Sequence, residues 1–205
     1  MNVAIVSCVP GNIMNLYRAL KKLQDEMNFE LELLEKPIEK TYRIIFLPGV
    51  GHFEQAMRNI VENGMDQFIF KNYRLGATIV GVCLGMQLFF EESEESSTKM
   101  KGLGFLKGQV VKLNSTLLPH IGWNIVRFKL EQFREMDGKY FYFVHSYRVV
   151  CEERFIVGTC EYDGEIFPAV VMAERLIGVQ FHPEKSHTIG RKFLRRLIEC
   201  ASCQP

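Results

Sequence analysis

Thr78-Ile79-Val80-Gly81-Val82-Cys83-Leu84-Gly85-Met86-Gln87-Leu88-Phe89-Phe90 changes character at its centre. The first residues are β-branched and apolar, the composition of a buried strand. Leu84, Met86, Gln87, Leu88 and Phe89 are mostly good helix formers, and a helix is expected to run to Glu91-Glu92. Cys83 stands at the junction, with Gly81 and Gly85 on either side of it. Glycine tolerates a sharp strand-to-helix reversal and leaves little bulk around the sulfur. That is the geometry of a nucleophile elbow with sulfur in place of oxygen. Unpaired N–H groups and the positive end of a following helix would favour thiolate. A buried inert cysteine in a strand-turn-helix has the same local pattern, so the rest of the chain must decide.

Composition narrows the classes. A chain of 205 residues supports one substantial core and fits a single α/β domain spanning 1–205. A formal net charge of +1 gives no electrostatic case for nucleic acid or a membrane surface. Met1-Asn2-Val3-Ala4-Ile5-Val6 lacks a basic flank and is too short an apolar run for a signal peptide. No stretch is long enough to span a bilayer. The six cysteines are scattered, and reduced thiols in a cytoplasm are expected.

In chain order, Val3 to Ser7 reads as a buried strand and Pro10-Gly11-Asn12 as a turn, with Asn12 a helix N-cap. Ile13, Leu16, Leu20, Leu23 and Met27 follow at helical spacing. Phe29 to Leu34 alternates like a half-buried strand, and Arg43 to Leu47 is a stronger one, stopping at Pro48-Gly49-Val50-Gly51. A glycine-bracketed loop at a strand's carboxyl end is where open α/β sheets place ligands. One helix through about Phe70 leads to the Cys83 elbow. This rhythm predicts a three-layer α/β fold with a mostly parallel central sheet between helices. Short runs between Gly104 and Arg175 predict hairpins and an additional antiparallel region. Leu176 to Phe181 is a last buried strand, and Phe193, Leu194, Leu197 and Ile198 mark the inner face of a final helix.

A thiolate nucleophile needs a base and something to orient that base. Of His52, His120, His145, His182 and His187, only His182 has a carboxylate at a telling spacing. In an extended segment residues two apart share a side, so Glu184 is expected to hold one nitrogen of His182 while the other faces Cys83. Pro183 stiffens the link. No histidine pair or cysteine–histidine cluster has metal-ligand spacing, so neither metal nor cofactor is expected. Acyl transfer also needs oxyanion donors. The Leu84 N–H is one candidate and the Val50 N–H another, with Gly49 and Gly51 giving the loop freedom to turn that peptide.

Four segments taken together carry a resemblance: Pro48-Gly49-Val50-Gly51, Gly81 to Gln87, Pro119-His120-Ile121-Gly122-Trp123-Asn124, and Gln180-Phe181-His182-Pro183-Glu184-Lys185-Ser186. Over essentially its whole length the chain resembles the class I (triad) glutamine amidotransferases, of flavodoxin-like architecture. Within them it is most similar to the glutaminase subunits of imidazole glycerol phosphate synthase. The resemblance implies that Cys83 attacks the glutamine side-chain amide, His182 acts as general base and acid, and Glu184 orients it. It also implies that Gln87, Glu95, Ser146 and Tyr147 hold the substrate. Ammonia would pass to a (β/α)8-barrel cyclase subunit in a heterodimer, with Asn12 and Trp123 facing that partner and the glutaminase nearly idle until the cyclase site is filled. The first loop, Ser7-Cys8-Val9-Pro10-Gly11-Asn12, keeps only the final Gly-Asn of an aspartate-aromatic-glycine pattern found in many members. Three other readings compete: a paralogous glutaminase feeding another acceptor such as a sugar amidotransferase, a silent regulatory scaffold, and a stand-alone cysteine hydrolase.

Overall fold

The computed structural model describes residues 1–9 and 13–203. Its elements run β1 (Asn2–Val6), α1 (Ile13–Met27), β2 (Glu30–Leu34), β3 (Ile44–Gly49), α2 (Phe53–Glu62), α3 (Met65–Arg74), β4 (Thr78–Cys83) and the single-turn α4 (Leu84–Gln87). Then come β5 (Phe90–Ser93), β6 (Leu106–Lys112), β7 (His120–Phe128), β8 (Lys139–His145), β9 (Tyr147–Cys151), β10 (Ile156–Tyr162), β11 (Glu165–Ala173), β12 (Leu176–Val179) and α5 (His187–Cys203).

Strand alternation builds the layers. Val3 and Ile5 of β1, Ile44 and Phe46 of β3, and Val80 and Val82 of β4 join a core that includes Leu16, Leu20 and Leu23 of α1 and Phe193, Leu194, Leu197 and Ile198 of α5. Their neighbours Ala4, Val6, Ile45, Leu47 and Ile79 face the other way, onto α2 and α3. A strand buried on both faces has no polar side, which is why these segments read as continuous apolar runs. Each fully buried Val, Leu, Ile or Phe contributes roughly 1.5–3 kcal/mol of transfer free energy.

Nine strands form the main sheet, in the order β2-β1-β3-β4-β12-β11-β10-β7-β8. The pairings are parallel from β2 to β12 and antiparallel from there to β8. The expected antiparallel region is therefore a direct continuation of the parallel sheet, joined through β12. A second sheet, β5-β6-β9, packs beside it. Two helices differ from expectation. The helix through Phe70 is broken in two at Gly64, whose φ of 67° a helix cannot contain. The helix after Cys83 stops at one turn, because the carbonyls of Leu88 and Phe89 accept from the Leu103 and Leu106 N–H groups and Phe90 begins β5.

β4 ends on the site. Cys83 itself takes φ 56°, ψ −112°, a positive-φ conformation outside the regions ordinarily allowed to a side-chain-bearing residue. The flanking glycines serve close approach. A Cβ at Gly81 would lie 2.5 Å from the Gly85 carbonyl oxygen, and one at Gly85 would lie 1.7 Å from the Leu47 carbonyl oxygen. Gly85→Ala should therefore cost more than about 3 kcal/mol in urea unfolding. Gly164→Ala meets open space at φ 78° and should cost only about 1 kcal/mol. Equal losses for the two variants would contradict this account of the elbow.

Candidate active site

Three side chains from two distant parts of the chain lie at the carboxyl ends of β4 and β12. Cys83 is buried at 5% exposure, at the mouth of a cavity of about 230 Å³. His182 and Glu184 lie behind it, each with 2% side-chain exposure, and His182 Nδ1 is 2.7 Å from Glu184 Oε1. The pairing expected from two-residue spacing is present, but in another geometry. His182 caps a 3-10 turn, Pro183–Lys185, so Glu184 folds back to the ring instead of lying beside it on a strand.

The His182 loop is clipped to β8. The His182 N–H donates to the Tyr142 carbonyl at 2.8 Å. The buried Ser186 hydroxyl accepts from the Tyr142 N–H at 3.0 Å and donates to the His182 carbonyl at 2.6 Å. Glu184 takes Nδ1, and Nε2 of His182 is buried without a hydrogen-bond partner. An unpaired buried ring nitrogen is costly and marks a position where a proton is meant to arrive. Burial alone would lower the pKa of His182, but the charge and sulfur of Cys83, and then the Glu184 carboxylate, outweigh it and raise it to about 10.

A second polar chain ends on the sulfur. Gln87 Nε2 donates to the Tyr147 carbonyl and to Gln180 Oε1, each at 3.0 Å. Gln180 Nε2 lies 3.7 Å from Cys83 Sγ, and the thiol lies 3.8 Å from the Val144 carbonyl oxygen. His145 Nδ1 also donates to the Tyr147 carbonyl, at 2.8 Å. The Asn124 amide, oriented by the Ile125 N–H and the Glu161 carbonyl, donates to His120 Nε2 at 3.4 Å, so His120 donates from Nδ1 to His145 Nε2 at 3.1 Å and both rings are neutral. Burial agrees, pushing His120 down to about 4 and His145 to about 3.

The cavity is lined by Val50, Gly51, Leu84, Gln87, Glu95, Ser146 and Tyr147 together with Cys83. Glu95 is anchored by the Phe53 N–H at the start of α2, at 2.7 Å, and keeps a carboxylate at the cavity wall. Gly51 has φ 104°, which suits only glycine. Gly49 closes β3 opposite Cys83, and a Cβ there would press on Val9 and Leu84. Trp123 is 44% exposed and stacks on His187, ring centroids 5.1 Å apart, well outside the cavity. Asn12 lies outside the described residues. Exposed His52 is not among the cavity residues. Sequence reasoning gives no role to Gln180, Ser186 or His145. The signal for Gln180 is present: a polar residue between Val179 and Phe181, in register with His182, is a buried amide that needs partners.

Comparison with known proteins follows from this geometry. The family model for glutamine amidotransferase class-I matches residues 4–199. Imidazole glycerol phosphate synthase subunit HisH of Thermotoga maritima is 52% identical, covering 98% of this chain and 98% of its own. The subunit of the same name from Methanopyrus kandleri is 44% identical, over 98% of this chain and 100% of its own. Among solved structures, a glutamine amidotransferase crystal structure aligns with a TM-score of 0.73 at 18% identity, over 98% of each chain, a likeness of fold.

The coupling between ring and sulfur has a definite pH signature. A histidine whose folded pKa lies above its ordinary 6.5 stabilises the native state fully below 6.5 and loses that contribution as pH rises towards about 10. The ring resonances of His182 should thus titrate far above those of a free histidine. In Cys83→Ala, where only Glu184 holds the proton, their midpoint should fall. An identical midpoint in both proteins would show that the sulfur does not sustain the charge.

Proposed function

The chain belongs to the class I glutamine amidotransferases and, within them, to the HisH subunits of imidazole glycerol phosphate synthase, and on that footing we propose that it releases ammonia from glutamine through a thioester on Cys83. The observation that carries this reading is a strained cysteine at a cavity large enough for a small amino acid, with a buried His–Glu pair whose ring is coupled to the sulfur. Nothing so assembled is needed by a silent scaffold.

Glutamine enters with its side-chain carbonyl towards the sulfur. His182 Nε2 takes the thiol proton, the thiolate attacks the amide carbon, and the oxyanion receives the N–H groups of Leu84 and Val50, for which Gly49 and Gly51 let the loop approach. A single such donor is worth about 10²–10³ in rate. His182 then protonates the departing nitrogen, ammonia leaves, and a γ-glutamyl thioester remains. Water, deprotonated by the same ring, frees glutamate and returns the thiol. Glu184 holds the ring's tautomer throughout.

The α-substituents are met by the opposite wall. The Glu95 carboxylate suits the α-ammonium group, and Gln87, whose NH₂ is spent on Tyr147 and Gln180, offers only its Oε1 as a second acceptor. The Ser146–Tyr147 backbone lines the remainder. The ammonia is delivered to a (β/α)8-barrel cyclase subunit for imidazole glycerol phosphate synthesis in histidine biosynthesis. Trp123, half-exposed and braced by His187 and Tyr142, supports a docking face for that subunit. Among the described residues no helix is long and apolar enough to cross a membrane.

Cys83→Ala in the two-subunit complex should abolish glutamine-dependent synthesis and leave synthesis from added ammonia intact. Loss of both activities from an assembled complex would show that Cys83 is not the nucleophile. Trp123→Ala should weaken assembly about tenfold or more, the scale of an aromatic anchor, with little change in thermal stability. Unchanged affinity would place the interface elsewhere.

A further inference from the structure

We propose that Gln180 is a catalytic residue whose amide NH₂ donates to the Cys83 sulfur and stabilises it whenever it carries negative charge. The inference rests on Cys83 forming a thioester with glutamine.

The orientation of the Gln180 amide is fixed by a backbone group. A carbonyl oxygen accepts only, so the atom of Gln87 that meets the Tyr147 carbonyl at 3.0 Å must be its nitrogen. The second hydrogen of that nitrogen meets Gln180 at 3.0 Å, which must therefore present its oxygen. The Gln180 nitrogen is left facing Cys83 Sγ at 3.7 Å. Turning either amide over would set donor against donor or acceptor against acceptor. Gln180 is fully buried, so water offers no substitute for any of these bonds.

The sulfur's neighbours change their value during the reaction. As a thiol, Cys83 can donate to the Val144 carbonyl at 3.8 Å. When the proton moves from Sγ to His182 Nε2, that carbonyl dipole points its negative end at a negative sulfur. The Gln180 N–H then becomes the favourable contact. The sulfur's electron pair forms the C–S bond in the attack, and the same pair returns to sulfur when water cleaves the thioester. Gln180 meets the charge both times, and it neither gains nor loses a proton. Gln87, which lines the cavity, is the brace that keeps the donor aimed.

The test reads the sulfur directly. Gln180→Met keeps the side-chain length and removes both polar atoms; Gln180→Glu keeps the acceptor for Gln87 and sets an oxygen against the sulfur. Iodoacetamide alkylation of Cys83 is followed across pH by mass spectrometry of its peptide. Other titratable groups around the sulfur, His182 and Glu184 beyond β12, His145 from β8 and Glu95 across the cavity, are untouched. The half-maximal pH should rise by about one to two units in Gln180→Met, the size of one lost hydrogen bond to a charged group. In Gln180→Glu it should rise at least as far. Glutaminase kcat should fall about tenfold or more with KM nearly unchanged. In the unmodified chain the Gln180 side-chain ¹⁵N resonance should shift through the same midpoint as Cys83 alkylation, a measurement that needs no variant to fold. Unshifted midpoints in both variants, or a Gln180 resonance indifferent to that titration, would overturn the assignment. Alkylation requires no glutamine, so a chain inactive towards glutamine would sink the thioester reading and still leave the donor tested.

Discussion

Main chain pressed against main chain at the end of β4 is the constraint on which the site depends. The turn into α4 brings Gly85 against the Leu47 carbonyl and folds Gly81 under Gly85, so neither position has room for a methyl group. With its neighbours confined in this way, Cys83 is left with a strained positive-φ conformation, at a cost of about 1–3 kcal/mol that the surrounding sheet must sustain. The strain has a geometric return. It accompanies a sulfur that reaches the cavity from an otherwise buried strand. The core supplies the rigidity: Ile79, Val80 and Val82 are each essentially buried, on opposite faces of the sheet, so β4 has nowhere to relax.

Around that sulfur the polar groups are arranged with little redundancy. Charge is placed on one side, where His182 and Glu184 form a buried pair, and neutral donors and acceptors on the other, through Gln180, Gln87 and the Tyr147 carbonyl. His120 and His145 extend the neutral side, with His120 sandwiched between Phe143 and Tyr162. Two histidines whose pKa is lowered by burial and one whose pKa is raised by the sulfur and a carboxylate show environment, not residue type, setting the affinity for a proton. All three are within one antiparallel region of the sheet, so the separation is made over a few ångströms.

How much of this can be read from residues alone varies with the kind of signal. Period-2 and period-3.6 patterns depend on local geometry, and they locate β2, β4 and the buried stripes of α1 and α5 well. The elbow is legible because glycine, cysteine and glycine are close together in sequence. The His182–Glu184 contact is anticipated for an incomplete reason: Pro183 starts a 3-10 turn closed by hydrogen bonds from Lys185 and Ser186, and spacing arguments for strands do not describe turns. β5 escapes a sequence reading because Leu88, Phe89 and Phe90 are all buried, an apolar run that suits helix and strand alike. Gln180 stands in the same segment as His182 yet goes unassigned, since its meaning comes from Gln87, ninety-three residues away along the chain. Long-range partners leave no periodicity behind.

Sheets that end in a bare strand expose a row of unsatisfied amides and carbonyls, an invitation to stacking by foreign chains. In this fold one of the two edge strands, β8, meets β7 on one flank, and at the other flank Tyr142 meets the His182 backbone and the Ser186 hydroxyl. The loop that seats the imidazole is thus also the hem of the sheet. Loosening it for the sake of motion would unpick part of that border as well as the site.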